Sequence, residues 1–239
     1  MMEIKNLFDV GDLVTFKTHP LFNSFRIKGD SKYVPPIMMI KEVLFENKQK
    51  KTNDEETGVI IAERIKYICI YFDDNKSEFV EAHLYQSMLR TFEDLMIEKI
   101  DRNGNIIENY ITLIEEIKKY KQVDYAFGKT VYFKTKKIEM FKKRSSKKIV
   151  LSKNEDGSFI IDLDKTKELV QYVVNYCTPN FIICGIKKEE INDLFYSDGK
   201  QKKLVSNTLL KVKWFNPFQQ KFSEHFLPIE FFTDEMNFD

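Results

Sequence analysis

Residues 8–18 read FDVGDLVTFKT, and residues 125–135 read YAFGKTVYFKT. The chain writes one short stretch twice. Phe8 aligns with Tyr125, Gly11 with Gly128, Val14 with Val131, Phe16 with Phe133, Lys17 with Lys134 and Thr18 with Thr135, and Leu13 matches Thr130 loosely. In the first writing Val14 and Phe16 alternate with Thr15 and Lys17, the period of two that marks a half-buried strand. Gly11-Asp12 reads as the turn that launches it.

Working outward, the chain after this strand passes through a loop with Pro20, Gly29 and Asp30 as breakers. Pro35-Pro36 then opens a second strand at Ile37, since proline is tolerated at a strand's first edge. Residues 46–58 form a charged loop, and residues 65–72 a third strand that is apolar and aromatic throughout. Asp73-Asp74-Asn75-Lys76 is a hairpin turn, and residues 79–84 a fourth strand. A short helical turn is expected within residues 86–92. Short strands joined by tight turns predict a small barrel of the SH3-like kind.

The echo extends beyond the first strand. The step from Gly11 to Gly128 is 117 residues, but from Pro36 onward it is 143. That step pairs Pro36 with Pro179, Ile40 with Ile183, Tyr71-Phe72 with Trp214-Phe215, Phe79 with Phe222, Glu81 with Glu224 and Leu84 with Leu227. The 26-residue difference falls in one enlarged loop after the first strand of the second copy. Coincidence among Phe- and Lys-rich strands is the competing explanation. The reading is therefore mainly β, α+β overall. Residues 1–92 form a first SH3-like barrel, residues 93–124 a helical connector, and residues 125–239 a second barrel with an insertion at 136–178. The connector rests on Ile107, Ile111, Ile114 and Ile117, spaced as on one helix face. In the insertion a hairpin is expected around residues 154–157. A helix capped by Asp162 or Asp164 follows it, running to Tyr176.

Bulk composition bounds the function classes. The 239 residues carry a net charge of +1, so no whole-protein field selects nucleic acid or an anionic membrane. Three cysteines, Cys69, Cys177 and Cys184, are an odd count with two in apolar runs, which argues for a reducing compartment. The start of the chain lacks a signal-peptide pattern, and no run reaches the length of a membrane span. A cytoplasmic protein without membrane attachment is expected.

The order Gly11, Asp12, Val14, Lys17, then Pro36, Met38, Ile40, then Cys69, Tyr71, Phe72, then Glu81 and Leu84, resembles the YodC-like small bacterial proteins of uncharacterised function. The likeness covers most of residues 8–90 and, more weakly, the second copy. Here residues 19–34 stand where that family has a short Gly-Gly-Pro turn, and the glycines are missing. The resemblance implies an SH3-like barrel and no established activity or site.

Catalytic signatures are thin. His19, His83 and His225 sit in no Ser/His/Asp or Cys/His pattern. Cys177 and Cys184 are spaced too widely for a zinc pair and read as core thiols. No phosphate-binding glycine motif occurs. Asp73-Asp74 and Asp162/Asp164 have structural explanations, as a turn and a helix start. No catalytic residue, metal site or cofactor is therefore assigned.

Two features suggest binding. Lys134, Lys136, Lys137, Lys142, Lys143, Arg144, Lys147 and Lys148 cluster with interleaved apolar residues, the footprint of phosphate-backbone contact. A solvated loop in a lysine-rich chain is the plainer explanation. Strand neighbours face opposite sides, so with Phe72 and Phe215 inside, Tyr71 and Trp214 face outward or into the join between halves. Packing between halves ranks ahead of ligand contact there. The expected function is a non-enzymatic binding or adaptor protein that contacts nucleic acid through the basic loop. The alternative is a protein-interaction subunit of a bacterial or phage mobile-element or defence complex, gripping its partner through Tyr71 and Trp214. An enzyme of unrecognised type is the third reading.

Overall fold

Period-two alternation becomes strand through much of the described chain. The computed structural model describes residues 5–19, 35–46, 57–58, 65–91, 96–100, 106–111, 120–136, 151–154, 157–161, 178–189 and 193–235. The protein is mainly β. One sheet contains β1 (Leu13–Phe16), β2 (Met38–Phe45), β3 (Ile65–Asp73), β4 (Glu78–Tyr85) and β5 (Leu89–Thr91), in the order β4-β3-β2-β1-β5. Two short hairpin strands follow, β6 (Met96–Ile100) and β7 (Ile106–Ile111). The second sheet is built on β8 (Thr130–Phe133). After it come a separate hairpin, β9 (Leu151–Lys153) with β10 (Phe159–Ile161), then β11 (Phe181–Lys188) and β12 (Lys203–Val205). β13 (Thr208–Asn216), β14 (Lys221–Pro228) and β15 (Phe232–Thr233) complete it, in the order β14-β13-β11-β8-β15.

The two orders are the same, and so is the register. Val14 lies opposite Met38, and Val131 opposite Phe181, the same pair moved by the two sequence steps. Phe16 faces Leu89 as Phe133 faces Phe232. The ladder shifts between Ile40 and Glu42, and at the matching place between Ile183 and Gly185. Gly11 N–H donates to Ile40 O at 2.9 Å, and Gly128 N–H to Ile183 O at 2.8 Å. Both glycines hold positive φ, 91° and 80°, which glycine adopts without a Cβ penalty. Each long hairpin ends its turn on a left-handed non-glycine residue, Ser77 at 53° and Gln220 at 50°. Each fourth strand runs into a 3-10 turn, Gln86–Met88 and Ile229–Phe231.

Three expectations are corrected, and one strand is new. Residues 106–111 form a strand, not the start of a helical connector. The Ile107–Ile111 spacing fits a helix face, but an isoleucine- and tyrosine-rich hexamer also suits a strand, and hairpin pairing with β6 decides. The rest of that expected helix, and the one ending at Tyr176, lie outside the described residues. Neither sheet closes into a barrel, because no ladder joins β4 to β5 or β14 to β15 among the described residues. The first sheet is apolar on both faces, one packed within its own unit and the other against the second sheet. Phe215 is exposed, not inside as expected, whereas Trp214 is buried in the join between the halves, the placement ranked first for it. Finally, β12 was not foreseen. It adds to the first sheet along Glu42–Leu44, and Tyr196 Oη–H donates to Phe45 O at 2.7 Å.

Each face of the first sheet feeds a different core. Val14, Met38, Ile40, Val43, Tyr67 and Cys69 gather with Phe8 and Leu89 on one side. On the other, Leu13, Met39, Ile70 and Phe72 join Val131, Phe133, Phe181, Val212, Trp214 and Phe232 of the second sheet. Phe72 and Phe79 form the plug. The Phe79 ring stands 5.4 Å from Trp214, 5.5 Å from Phe181 and 5.6 Å from Phe133. Burial of each such ring stabilises the join by about 2–3 kcal/mol.

Candidate partner-binding face

Because the second sheet turns its inner face to the first, its other face meets solvent. β13 alternates: Leu210, Val212, Trp214 and Asn216 point inward, while Leu209, Lys211, Lys213 and Phe215 point outward. β14 alternates in step, with Phe222, Glu224 and Phe226 outward. Phe215 and Phe222 are directly opposed in the ladder and meet edge to face at 5.5 Å. They are 51% and 69% exposed, and Ile182 on β11 and Phe218 at the turn add 41% and 63%. Contiguous exposed apolar surface of this kind marks interaction sites.

Charges frame the aromatic pair. Glu224 Oε2 lies 3.3 Å from Lys213 Nζ, and its other oxygen accepts from Lys211. These bonds hold the Glu224 carboxyl below its usual range and push the Lys211 amine up. Lys211 also sits over the Phe226 ring at 5.7 Å.

The face runs into a cleft of about 540 Å³ at the junction of the sheets. Its walls include Lys41 and Glu42 of β2 with Lys187, Lys211, Glu224 and His225 of the second sheet. Lys41 bonds Glu81, Lys211 bonds Glu224, and Lys187 lies 3.6 Å from Glu189. Each of these three lysines is thus paired with a glutamate. Burial, then the charge of Lys41, lowers the His225 pKa, opposed by Glu81. The Ser206 hydroxyl at the cleft donates to Thr208 O at 2.8 Å and accepts from Thr208 N. No nucleophile–base pair is assembled there. Among the described residues, no group of His, Cys, Asp and Glu could hold a metal.

The structure disperses the residues singled out from sequence. Trp214 is spent inside the join, its indole N–H donating to Ser77 O at 2.9 Å. Tyr71 is half-buried against the first sheet's own core, and burial followed by the Asp73 charge raises its pKa. Lys134 is half-buried; desolvation lowers its amine pKa, partly offset by Glu230. Lys136 bonds the Asn180 side chain and lies 5.7 Å over the Tyr132 ring. Lys137, Lys142, Lys143, Arg144, Lys147 and Lys148 lie outside the described residues, as do Asp162 and Asp164. Asp73 accepts from Asn75 N at 3.0 Å, a turn role.

Sequence reasoning missed Phe215 and Phe222 as surface residues. The signal was present in Lys211 and Lys213, two charges on the same parity as Phe215. No family model, curated protein or solved structure matches the chain. Among the described residues no helix is long and apolar enough to cross a membrane.

Proposed function

We propose that this is a non-enzymatic interaction protein whose partner contact is the outer face of the second sheet, centred on Phe215 and Phe222. The observation that carries this reading is the unburied, opposed phenylalanine pair on a well-formed ladder. The reading takes the two sheets as copies of one ancestral SH3-like unit, similar to the YodC-like proteins. The common strand order, register and bulge position support that origin. A cytoplasmic setting fits the free thiols of Cys69 and Cys184. The partner would be a protein of a bacterial or phage complex.

The test is affinity capture from cells of the source organism after nuclease treatment. Proteins retained by the wild type and lost with the double substitution Phe215→Lys and Phe222→Lys support the reading. An identical captured set with both proteins overturns it.

Nucleic-acid contact through the basic cluster is the second reading. Lys134 and Lys136 are engaged internally, so it rests on Lys137, Lys142, Lys143, Arg144, Lys147 and Lys148. Neutralising Lys142, Lys143, Arg144 and Lys147 would release the protein from a DNA column at lower salt. Unchanged retention would remove this reading.

A further inference from the structure

β2 carries an added strand that its counterpart lacks. β1 pairs with β2 no further than Met39, and β12 takes the edge beyond, with Lys203 opposite Leu44, Leu204 opposite Val43 and Val205 opposite Glu42. Phe45 N–H donates to Lys202 O at 2.9 Å, so by the alternation of an antiparallel ladder Val43 also turns its N–H and C=O to β12. Leu204 packs against the first sheet's own core, and Val43 opposite it is fully buried.

The same slot stands on β11. β8 pairs with β11 no further than Ile182, and Gly128 N–H closes the near end on Ile183 O as Gly11 does on Ile40 O. At the step of 143 residues Ile186 matches Val43, Lys187 matches Leu44 and Lys188 matches Phe45. Glu189 N–H donates to Asn207 O on the β13 side. Lys187 and Gly185 therefore also face β13, while Ile186 and Lys188 turn their N–H groups to the other edge. Among the described residues nothing pairs with that edge beyond Ile183. The side chains agree. Ile186 lies opposite buried Leu210, on the inner face, yet is 45% exposed where Val43 is 0%. It lacks the cover that Leu204 gives Val43.

We propose that the β11 edge from Gly185 to Lys188 takes up an extended segment of a partner protein as an added antiparallel strand, as β2 takes up β12. Backbone hydrogen bonds supply the affinity and alternate side chains the choice. The residue opposite Ile186 is apolar, in the place of Leu204. The two residues before it are acidic, because they stand opposite the exposed Lys187 and Lys188, where the first sheet has Leu44 and Phe45 opposite Lys203 and Lys202. This site lies apart from the Phe215–Phe222 pair and goes beyond the function proposed for that face.

The probe is a synthetic peptide of residues 201–207 with Lys202→Glu and Lys203→Glu, titrated to about 1 mM against the full chain with amide exchange followed by NMR. In the free protein the Ile186 and Lys188 amides should exchange fast, and those of Val43 and Phe45 slowly. The peptide should slow the first pair and bind about fivefold more tightly than its lysine parent. Methylating the peptide's leucine nitrogen, which removes the bond to the Ile186 carbonyl, should abolish that protection. Lys187→Glu with Lys188→Glu should reverse the preference between the two peptides. Slow Ile186 and Lys188 amides in the free protein overturn the proposal, since the edge is then already occupied. Absence of binding over the whole titration overturns it too, as does binding indifferent to the methylated nitrogen or to the charge reversal. The readout is confined to β11, so its failure leaves capture through Phe215 and Phe222 to its own test.

Discussion

The indole N–H of Trp214 donates to the carbonyl of Ser77 at 2.9 Å, tying the second sheet to the β3–β4 hairpin of the first. Asn216, two residues on and facing the same way, adds Nδ2–H bonds to Lys76 O at 3.0 Å and Ser77 O at 3.2 Å. Its Oδ1 accepts from Phe218 N at 3.0 Å and Gln219 N at 3.1 Å, so one buried side chain fixes two turns. Asn216→Ala should cost roughly 2–4 kcal/mol, because it leaves Lys76 O without this donor and Phe218 N and Gln219 N without this acceptor. Trp214→Phe should cost about 1–2 kcal/mol, since Ser77 O keeps the Asn216 donor. Urea unfolding at constant m-value measures both.

Phe72 and Phe215 hold matching places in the two sheets and opposite environments. Phe72→Ala should destabilise by about 3–5 kcal/mol, as expected for a buried ring whose loss leaves a cavity. Phe215→Ala should fall within about 1 kcal/mol of the wild type. Thermal unfolding of the two variants, compared at the same protein concentration, gives the contrast.

Gly11 and Gly128 share a positive φ but not a neighbourhood. A Cβ at Gly11 would meet Glu230 Cβ at 2.8 Å, whereas one at Gly128 meets nothing within 4 Å. Both Gly→Ala changes incur about 1–2 kcal/mol of left-handed backbone strain. Gly11→Ala should cost clearly more, because the first sheet's turn must also back away from the second sheet's 3-10 turn. Denaturant midpoints of the pair decide it.

His19 is buried, and desolvation brings its pKa from 6.5 to about 4. Above pH 6.5 the imidazole is neutral in both states and contributes no pH dependence. Between pH 6.5 and 4 the unfolded chain binds a proton that the folded chain refuses. Stability therefore falls as pH falls through that window, by about 3 kcal/mol in all. His225, also lowered, pulls the same way. His19→Gln should flatten the decline, which unfolding curves taken at steps from pH 7.5 to pH 4 would register.

Much of the strand framework is legible in the sequence, since Val14-Phe16 alternation, the Asp73–Lys76 turn and the two fixed offsets each have local causes. The hairpin around Asn154 is legible for the same reason. Closure is not, because whether a sheet curls on itself or stacks on another depends on what its second face meets. Met39, Ile70 and Phe72 give the first sheet two apolar faces, a pattern that reads equally as a buried strand in any setting. The misplacement of Phe215 came from assuming that equivalent residues share equivalent burial. They share backbone register, but the first sheet has a neighbour on that side and the second meets solvent. β12 escaped notice because its edge pairing joins residues that are far apart in sequence. The binding face was hidden for a related reason: exposure belongs to the assembled sheets and not to any one strand.

Trp214 is the chain's only tryptophan and lies where the Phe72–Phe79 plug enters the second sheet, so its fluorescence reports the docking of the two sheets directly. The native protein should emit to the blue of free tryptophan, resist acrylamide quenching, and shift to the red with Phe79→Ala while the far-ultraviolet β signal persists. Native emission like that of tryptophan in water, with full quenching and an intact β spectrum, would contradict it.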